Sequence, residues 1–338
     1  MSIKKTLFQW VAAIIAGFCI VNLLCFGYER PTGWIETPNG PSPAGWNPNT
    51  ILVHGTEGFG IIKTDENGYI NKPGKLQDSY VLCMGSSHTQ GKEMSIDENY
   101  TSLINSHFSK GEGSLGAYNI ACDGNFLPTL IKHFSAGTEA FPEASVVTIE
   151  ISDVDVSAEE LEAALQQAEY DEAKSVKNQI EYMGLKDKLK IFIKEYFPLI
   201  SLVKSKLETT SAAAGTDTAE AGKADNNDAA LALRKAVELL RSSYDGEIIF
   251  IYHKQMNIGK DGSISFDDDE LFAEFEKACN ENNIRIVDMR PVFVEHYEKT
   301  QEIPYGFANT RPGNGHLNPL GHRLIAESLI PYIEEVMA

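Results

Sequence analysis

The sequence predicts a three-layer α/β/α domain, with helices on both faces of a parallel sheet, carried by one N-terminal transmembrane helix. Three observations predict it. Short apolar runs suited to buried strands alternate with amphipathic stretches from Ser79 to Ile151 and again from Glu247 to the C-terminus. A chain of 338 residues, 43% of them hydrophobic, can bury a full core as one domain with attachments. An uncharged apolar run from Leu7 to Gly27, interrupted only by Gln9 and Asn22, is long enough to cross a bilayer.

Residues 1–27 read as a cytoplasmic stub and signal anchor. Lys4 and Lys5 precede the apolar run and no A-x-A-like cleavage site follows, so the positive-inside rule leaves the N-terminus in the cytoplasm and the rest outside. A cleaved signal peptide is the rival reading. Asn22-Leu23-Leu24 lacks the small residue expected ahead of a lipidated cysteine, which sets Cys25 aside as a lipoprotein site. Residues 28–76 follow as a stalk and N-terminal extension. Tyr28 to Thr50, rich in Pro, Gly, Asn and Trp, has no helical or strand period and reads as an extended stalk. Ile51 to Lys75 adds a short hairpin expected around Asn67-Gly68.

Residues 77–338 carry the α/β pattern. Strands are expected at Ser79–Met84, Ala117–Cys122, Ser145–Ile151, Glu247–Tyr252 and Ile284–Val287. Helices are expected at Asp97–Phe108, Leu127–Phe134 and Asp269–Asn280. A last helix is expected with Asn318 as N-cap and Pro319 at its first position, running through Leu324, Ile325, Leu329 and Ile333. An insertion, 156–228, interrupts the alternation. It opens as an acidic, alanine-rich helix around Glu159 to Lys174. It continues as a basic amphipathic stretch, where Leu189, Phe192, Ile193, Tyr196, Ile200, Val203 and Leu207 share a face among Lys186, Lys190, Lys194 and Lys204, with a break at Pro198. That stretch reads either as a cap helix packed on the domain or as a helix lying on an anionic membrane surface. Ser211 to Asn227, rich in Ala, Gly, Asp and Thr, reads as disordered.

A net charge of -19 argues against a nucleic-acid partner. Five cysteines show no metal spacing and no disulfide framework, and no metal or organic cofactor is implied. Cys83 and Cys122 each end a predicted buried strand, where a free cysteine serves as a small hydrophobe; a bridge between them stays open if the strands are neighbours.

The chemistry centres on Val81-Leu82-Cys83-Met84-Gly85-Ser86-Ser87. A buried strand that ends in a tight turn delivers Ser87 to the carboxyl edge of a parallel sheet, where ligands collect, and Ser87 is the candidate nucleophile. Small residues after a strand also serve a plain turn, so a matched base is needed. His316, in the loop before the last helix, can take a proton from a serine hydroxyl near neutral pH. His322 falls inside that helix and reads as structural.

Gly85-Ser86-Ser87 with Thr89 and Gly91, Asn119-Ile120-Ala121-Cys122-Asp123-Gly124, and the segment around His316 running into Asn318-Pro319-Leu320-Gly321-His322 together resemble three sequence blocks of the SGNH/GDSL hydrolases. The resemblance covers most of Ser79 to Ile151 and of Glu247 to the C-terminus. It implies a flavodoxin-like parallel sheet, Ser87 as nucleophile, His316 as base, and an oxyanion held by the N–H groups of Ser87 and Gly124. The chain departs from the pattern in three places. Ser86 stands where the family has aspartate. Glu150-Ile151-Ser152-Asp153 replaces Gly-x-Asn-Asp, which leaves the Ser152 hydroxyl as the third oxyanion donor. Gly313 stands where the triad acid is expected, leaving Asn314 to orient the imidazole, with Asp123 and Asp153 as further candidates between which the sequence does not choose.

His88 is expected to point away from the nucleophile, toward the surface or a supporting position. Asp288 is expected to cap the turn after its strand, and His253 or Lys254 to line the pocket. The expected activity is that of a membrane-anchored, extracytoplasmic serine esterase or O-acyltransferase. By resemblance its expected substrates are O-acyl groups, O-acetyl among them, on cell-envelope or extracellular carbohydrate, or small esters. The competing class is a degenerate relative serving as a glycan-binding or scaffold module, with a membrane-protein partner.

Overall fold

The computed structural model describes residues 3–30, 36–37, 40–41, 46–168, 185–200, 202–204, 226–311 and 313–337. Helix α1 (Ile3–Phe26) is followed by an antiparallel hairpin, β1 (Ile51–His54) and β2 (Gly60–Lys63), which pair from Ile51 opposite Lys63 to His54 opposite Gly60. The α/β domain then runs β3 (Lys75–Met84), α2 (Tyr100–Phe108), β4 (Ser114–Asn119), α3 (Leu127–Ala140), β5 (Ala144–Ile151) and α4 (Ala158–Ala168). After α5 (Leu185–Tyr196) come α6 (Asn226–Ser243), β6 (Glu247–Tyr252), α7 (Phe272–Glu281), β7 (Arg285–Asp288), α8 (Met289–Thr300) and α9 (Pro319–Met337).

The five strands β3 to β7 form one parallel sheet in the spatial order β4-β3-β5-β6-β7. Counted along the chain this is 2-1-3-4-5, the flavodoxin-like order, and its topological switch lies between β3 and β5. Side chains alternate across the pleat. Tyr80, Leu82, Met84, Val147, Ile149, Ile248 and Phe250 face one layer with α3, α4, α6 and α7. Val81, Cys83, Val146, Ile249, Ile251 and Val287 face the other, with α2, α8 and α9. Burial on both faces explains why these strands read as continuous apolar runs.

Several expectations change. The hairpin turns at Gly55–Phe59 and not at Asn67-Gly68. There the Asp65 carboxylate accepts from the Asn67 and Tyr69 N–H groups and closes a separate turn. The two ends of the segment expected as a stalk pack on the hairpin: Trp46 is buried with Leu52, Ile62 and Ile70, and Arg30 bridges to Val53. Helices α6 and α8 were not expected. Ala229, Ala232, Leu233, Ala236, Val237 and Leu240 of α6 recur at helical spacing and complete one face of the core. Cys83 and Cys122 are buried free thiols. Pro198 ends α5 and opens a second short helical run, and most of the tract from Ser211 lies outside the described residues.

Candidate active site

Strand β3 runs fully buried through Val81, Leu82 and Cys83 and leaves the sheet at Gly85. A Cβ on Gly85 would sit 2.1 Å from Thr89 Oγ1 and 2.7 Å from Glu150 Oε2, so glycine is what lets a carboxylate pass under the turn. Ser86 then caps a single helical turn, Ser87–Gln90, its hydroxyl accepting from the His88 N–H. Ser87 stands half-buried at the start of that turn, beside the switch point of the sheet.

Beneath the turn lies Glu150, fully buried on β5. Its Oε2 accepts from the Ser86 N–H and hydroxyl, each at 2.8 Å, and from the Thr89 hydroxyl at 3.0 Å. Its Oε1 lies 2.9 Å from His253 Nε2, whose ring is held on the other side by the Tyr305 hydroxyl at 2.6 Å. Burial alone would raise the Glu150 carboxyl, but the hydrogen bond and charge of His253, the neighbouring His88 and the Ser86 N–H outweigh it and hold the group well below the usual carboxylate range. The same geometry accounts for Ser86. An aspartate there would face the Glu150 carboxylate at hydrogen-bond distance, whereas a hydroxyl donates to it.

His316 completes the hydroxyl's surroundings, its Nε2 lying 2.8 Å from Ser87 Oγ. Its loop is pinned by the Gly306 N–H donating to the His316 carbonyl and by a bridge between Tyr305 and Leu317. The carboxylate that meets the ring comes from outside the three blocks. Glu57, at the tip of the β1–β2 hairpin and 259 residues away in sequence, places Oε2 2.7 Å from His316 Nδ1, and its Oε1 accepts from the His316 N–H at 2.6 Å. Asn309 clamps that tip: its Oδ1 accepts from the Gly58 N–H at 2.8 Å, and its amide donates to the carbonyls of Gly55 and Gly58 at 3.0 and 2.9 Å. Gly58 has φ +65°, and a Cβ on it would meet the Glu93 carbonyl at 2.1 Å, so this close approach also requires glycine. A second carboxyl, Glu93, lies 3.8 Å from His316 Nδ1 with its side chain 1% exposed; burial raises it above the usual carboxylate range, against the pull of His316 and Lys92. A hydroxyl, an imidazole and a carboxylate in one hydrogen-bonded chain can draw the proton from the serine and stabilise the imidazolium that results.

The other sequence candidates are dispersed. Gly124, with φ +81°, is exposed in the loop after β4, which is tied to the Ser87 turn by the Cys122 N–H donating to the Gly85 carbonyl at 3.2 Å. Ser152 is the first residue past β5, half-buried at the same sheet edge. Asn314 does not orient the imidazole. It is exposed, its N–H donates to the Arg311 carbonyl, and Glu57 occupies the ring nitrogen it was expected to hold. Asp123 pairs with Lys92, and Asp153 approaches Lys254 at 3.9 Å, so neither meets the ring. His253 is buried in the Glu150 network and Lys254 pairs with Asp269; neither is free to serve a pocket. The carboxylates of Asp153, Asp155 and Asp269 converge; the Lys254 ammonium pairs with Asp269 and approaches Asp153, and Asp155 accepts from the Glu270 and Leu271 N–H groups.

His88 turns inward and not to the surface. Its Nδ1 accepts from the Leu317 N–H at 3.1 Å, and its ring lies 5.1 Å from that of His316, so it props the His316 loop. Burial, and then His253, push His88 well below the ordinary histidine range, so it is neutral. His322 is buried, accepts from the Tyr100 N–H and is depressed to about 3 by burial; Asp288 caps α8.

Sequence reasoning missed Glu57, Glu150 and Glu93. Glu150 had a signal: it is an acidic residue inside a strand otherwise suited to full burial. Glu57 had almost none beyond its place in a glycine-flanked loop.

No protein-family model matches the chain, and no curated protein matches it. Among solved structures, the acetyl xylan esterase AlAXEase is similar over 75% of this chain and 99% of its own, at 15% identity and a TM-score of 0.43. TesA is similar over 78% and 99%, at 10% identity and a TM-score of 0.39. A variant of Axe2, an acetyl-xylooligosaccharide esterase from Geobacillus stearothermophilus, is similar over 78% and 95%, at 14% identity and a TM-score of 0.38.

Proposed function

We propose that this chain is a serine ester hydrolase or O-acyltransferase of SGNH/GDSL type, anchored by α1 with its domain outside the cytoplasm. The observation that carries the reading is the continuous chain Ser87 Oγ, His316 Nε2, His316 Nδ1, Glu57 Oε2, with steps of 2.8 Å and 2.7 Å outside the ring. Ser87 Oγ attacks the ester carbonyl while His316 Nε2 takes its proton, and Glu57 stabilises the imidazolium. The N–H groups of Ser87 and Gly124 and the Ser152 hydroxyl hold the oxyanion. Collapse returns the proton from His316 to the leaving alcohol and leaves an acyl-Ser87. Water or a sugar hydroxyl then gives its proton to His316 and attacks the acyl group, and the second collapse returns that proton from His316 to Ser87 Oγ as the serine is released. The resemblance and the extracytoplasmic placement favour O-acetyl groups on carbohydrate as substrate.

The test is p-nitrophenyl acetate turnover by the full chain in detergent, against Ser87→Ala and His316→Ala. Both variants should lose turnover by several orders of magnitude; equal turnover by all three proteins sinks the reading. Transfer is separated from hydrolysis by whether a carbohydrate acceptor, added to the active protein, captures the acetyl group in place of water.

A further inference from the structure

Resting on the reading that α1 spans the bilayer, we propose that residues 185–204 form a second membrane contact, an amphipathic helix broken at Pro198 that docks on the outer end of α1 and inserts its apolar face among anionic lipids. The docking site is the one polar interruption in the outer half of the span. Asn22 is the only buried residue of α1, a helix otherwise almost entirely exposed and apolar enough to span a membrane. Its amide donates to the Tyr196 carbonyl at 2.8 Å, and its Oδ1 accepts from the Leu199 N–H at 3.3 Å.

Those two backbone groups are the ones the proline break sets free. In an unbroken helix the Tyr196 carbonyl would accept from the Ile200 N–H, but that N–H donates to the Phe197 carbonyl instead. In water such a gap needs no protein partner. In lipid every backbone polar group must be satisfied within the protein, and an asparagine in a span is tolerated when it is paired. Asn22 meets both requirements with one side chain. Around it the Phe18 and Phe197 rings stack at 6.2 Å, and Arg30 donates to the Glu195 carbonyl while lying over Phe26 and Tyr196. Asn22 precedes the end of α1 by four residues, about 6 Å along the axis, which is the depth to which interfacial helices sink.

The face turned away from the protein fits the same partner. Leu185, Leu189, Phe192, Ile193 and Tyr196 recur at helical spacing and are all exposed, and beyond the break Ile200 and Val203 are 47% and 51% exposed. Lys186, Lys190 and Lys194 flank that row one position on, joined by Lys188 and Lys204, in a chain whose net charge is -19. Long lysine stems that cover apolar surface while their ammonium groups reach outward are suited to phosphate headgroups. With α1 and this strap both in the membrane, the domain is held at a fixed height over the bilayer.

The test places an environment-sensitive fluorophore on the full chain carrying Cys19→Ala, Cys25→Ala and Val203→Cys, reconstituted in phosphatidylcholine nanodiscs with and without phosphatidylglycerol. Cys83, Cys122 and Cys279 are buried. Lipids carrying a quencher near the headgroup or at the bilayer centre report depth, and a matched Ile14→Cys protein reports on α1. The proposal expects Val203 emission to be blue-shifted and lost to the shallow quencher, more so with phosphatidylglycerol. The combined Lys186→Gln, Lys190→Gln, Lys194→Gln variant should lose that lipid dependence. A centre-quenched Ile14 probe beside a water-exposed Val203 probe overturns the proposal and spares the anchor. A Val203 probe shielded from water but untouched by either quencher assigns the face to a protein partner or a second copy, and also overturns it. An unquenched Ile14 probe removes the spanning premise and the proposal with it.

Discussion

Two histidine–carboxylate pairs lie close together and differ in almost everything but their chemistry. His253 and Glu150 are 2.9 Å apart with both side chains 0% exposed; His316 and Glu57 are 2.7 Å apart with side chains 26% and 19% exposed. In the buried pair each ring nitrogen has a fixed partner, and the carboxylate is saturated by Ser86, Thr89 and His253. No group can approach to exchange a proton, so this pair serves as a footing under the Ser87 turn. In the open pair the second nitrogen faces a half-buried serine hydroxyl. Burial and saturation thus separate support from reactivity within one arrangement of side chains.

That contrast is sharpened most by Glu57→Gln. The substitution keeps an acceptor for the His316 N–H but removes the charge and offers a donor to Nδ1, which favours the wrong imidazole tautomer. Turnover of p-nitrophenyl acetate should fall by about 10³- to 10⁴-fold, the scale known for the equivalent change in a serine protease, with the thermal midpoint little changed. A fall below about tenfold would assign the acid to Glu93 instead.

Glu150→Gln should invert the pattern. Breaking a buried pair on one side costs about 3–5 kcal/mol, read as a lower urea midpoint, while protein that remains folded keeps its turnover. If stability is untouched and only turnover falls, the footing role is wrong.

Acid reads the buried side as well. Because His322 is depressed from 6.5 to about 3, the unfolded chain binds more protons than the folded one between those values. Stability is therefore fully present above pH 6.5 and declines as pH falls toward about 3, with neutral His88 adding to the loss and Glu150 extending it at still lower pH. Urea midpoints measured across that window should slope less in His322→Gln, whose amide oxygen can still accept from the Tyr100 N–H. An unchanged slope would acquit this residue. The smallest effect is expected at Asn314→Ala: an exposed side chain away from the ring should leave turnover within about twofold of the parent, as surface substitutions do.

Much of the scaffold was legible because buried parallel strands write themselves as apolar runs. Glu247–Tyr252 was placed to the residue, and Ser145–Ile151 to within one. The start of α9 was legible for a local reason too: the Asn318 side chain accepts from the N–H groups of Leu320 and Gly321 next to it in sequence. Helix α6 was missed because the compositional bias of the insertion runs into it, and α8 because its apolar period is weak. The approach of Ser87 to His316 followed from motif order. The approach of Glu57 to His316 did not, because a hairpin tip carries no period and its partner lies 259 residues away.

The sequence by itself determined the alternation of strand and helix, the turn that presents Ser87, the loop that holds His316 and an N-terminal helix apolar enough to span a membrane, since each depends on residues within a few positions of one another. Only the tertiary structure decided which carboxylate meets which imidazole. That choice rests on close approaches between distant segments, through Gly58 against Glu93, Asn309 around the hairpin tip and Gly85 over Glu150, and no local pattern encodes a distance across the fold.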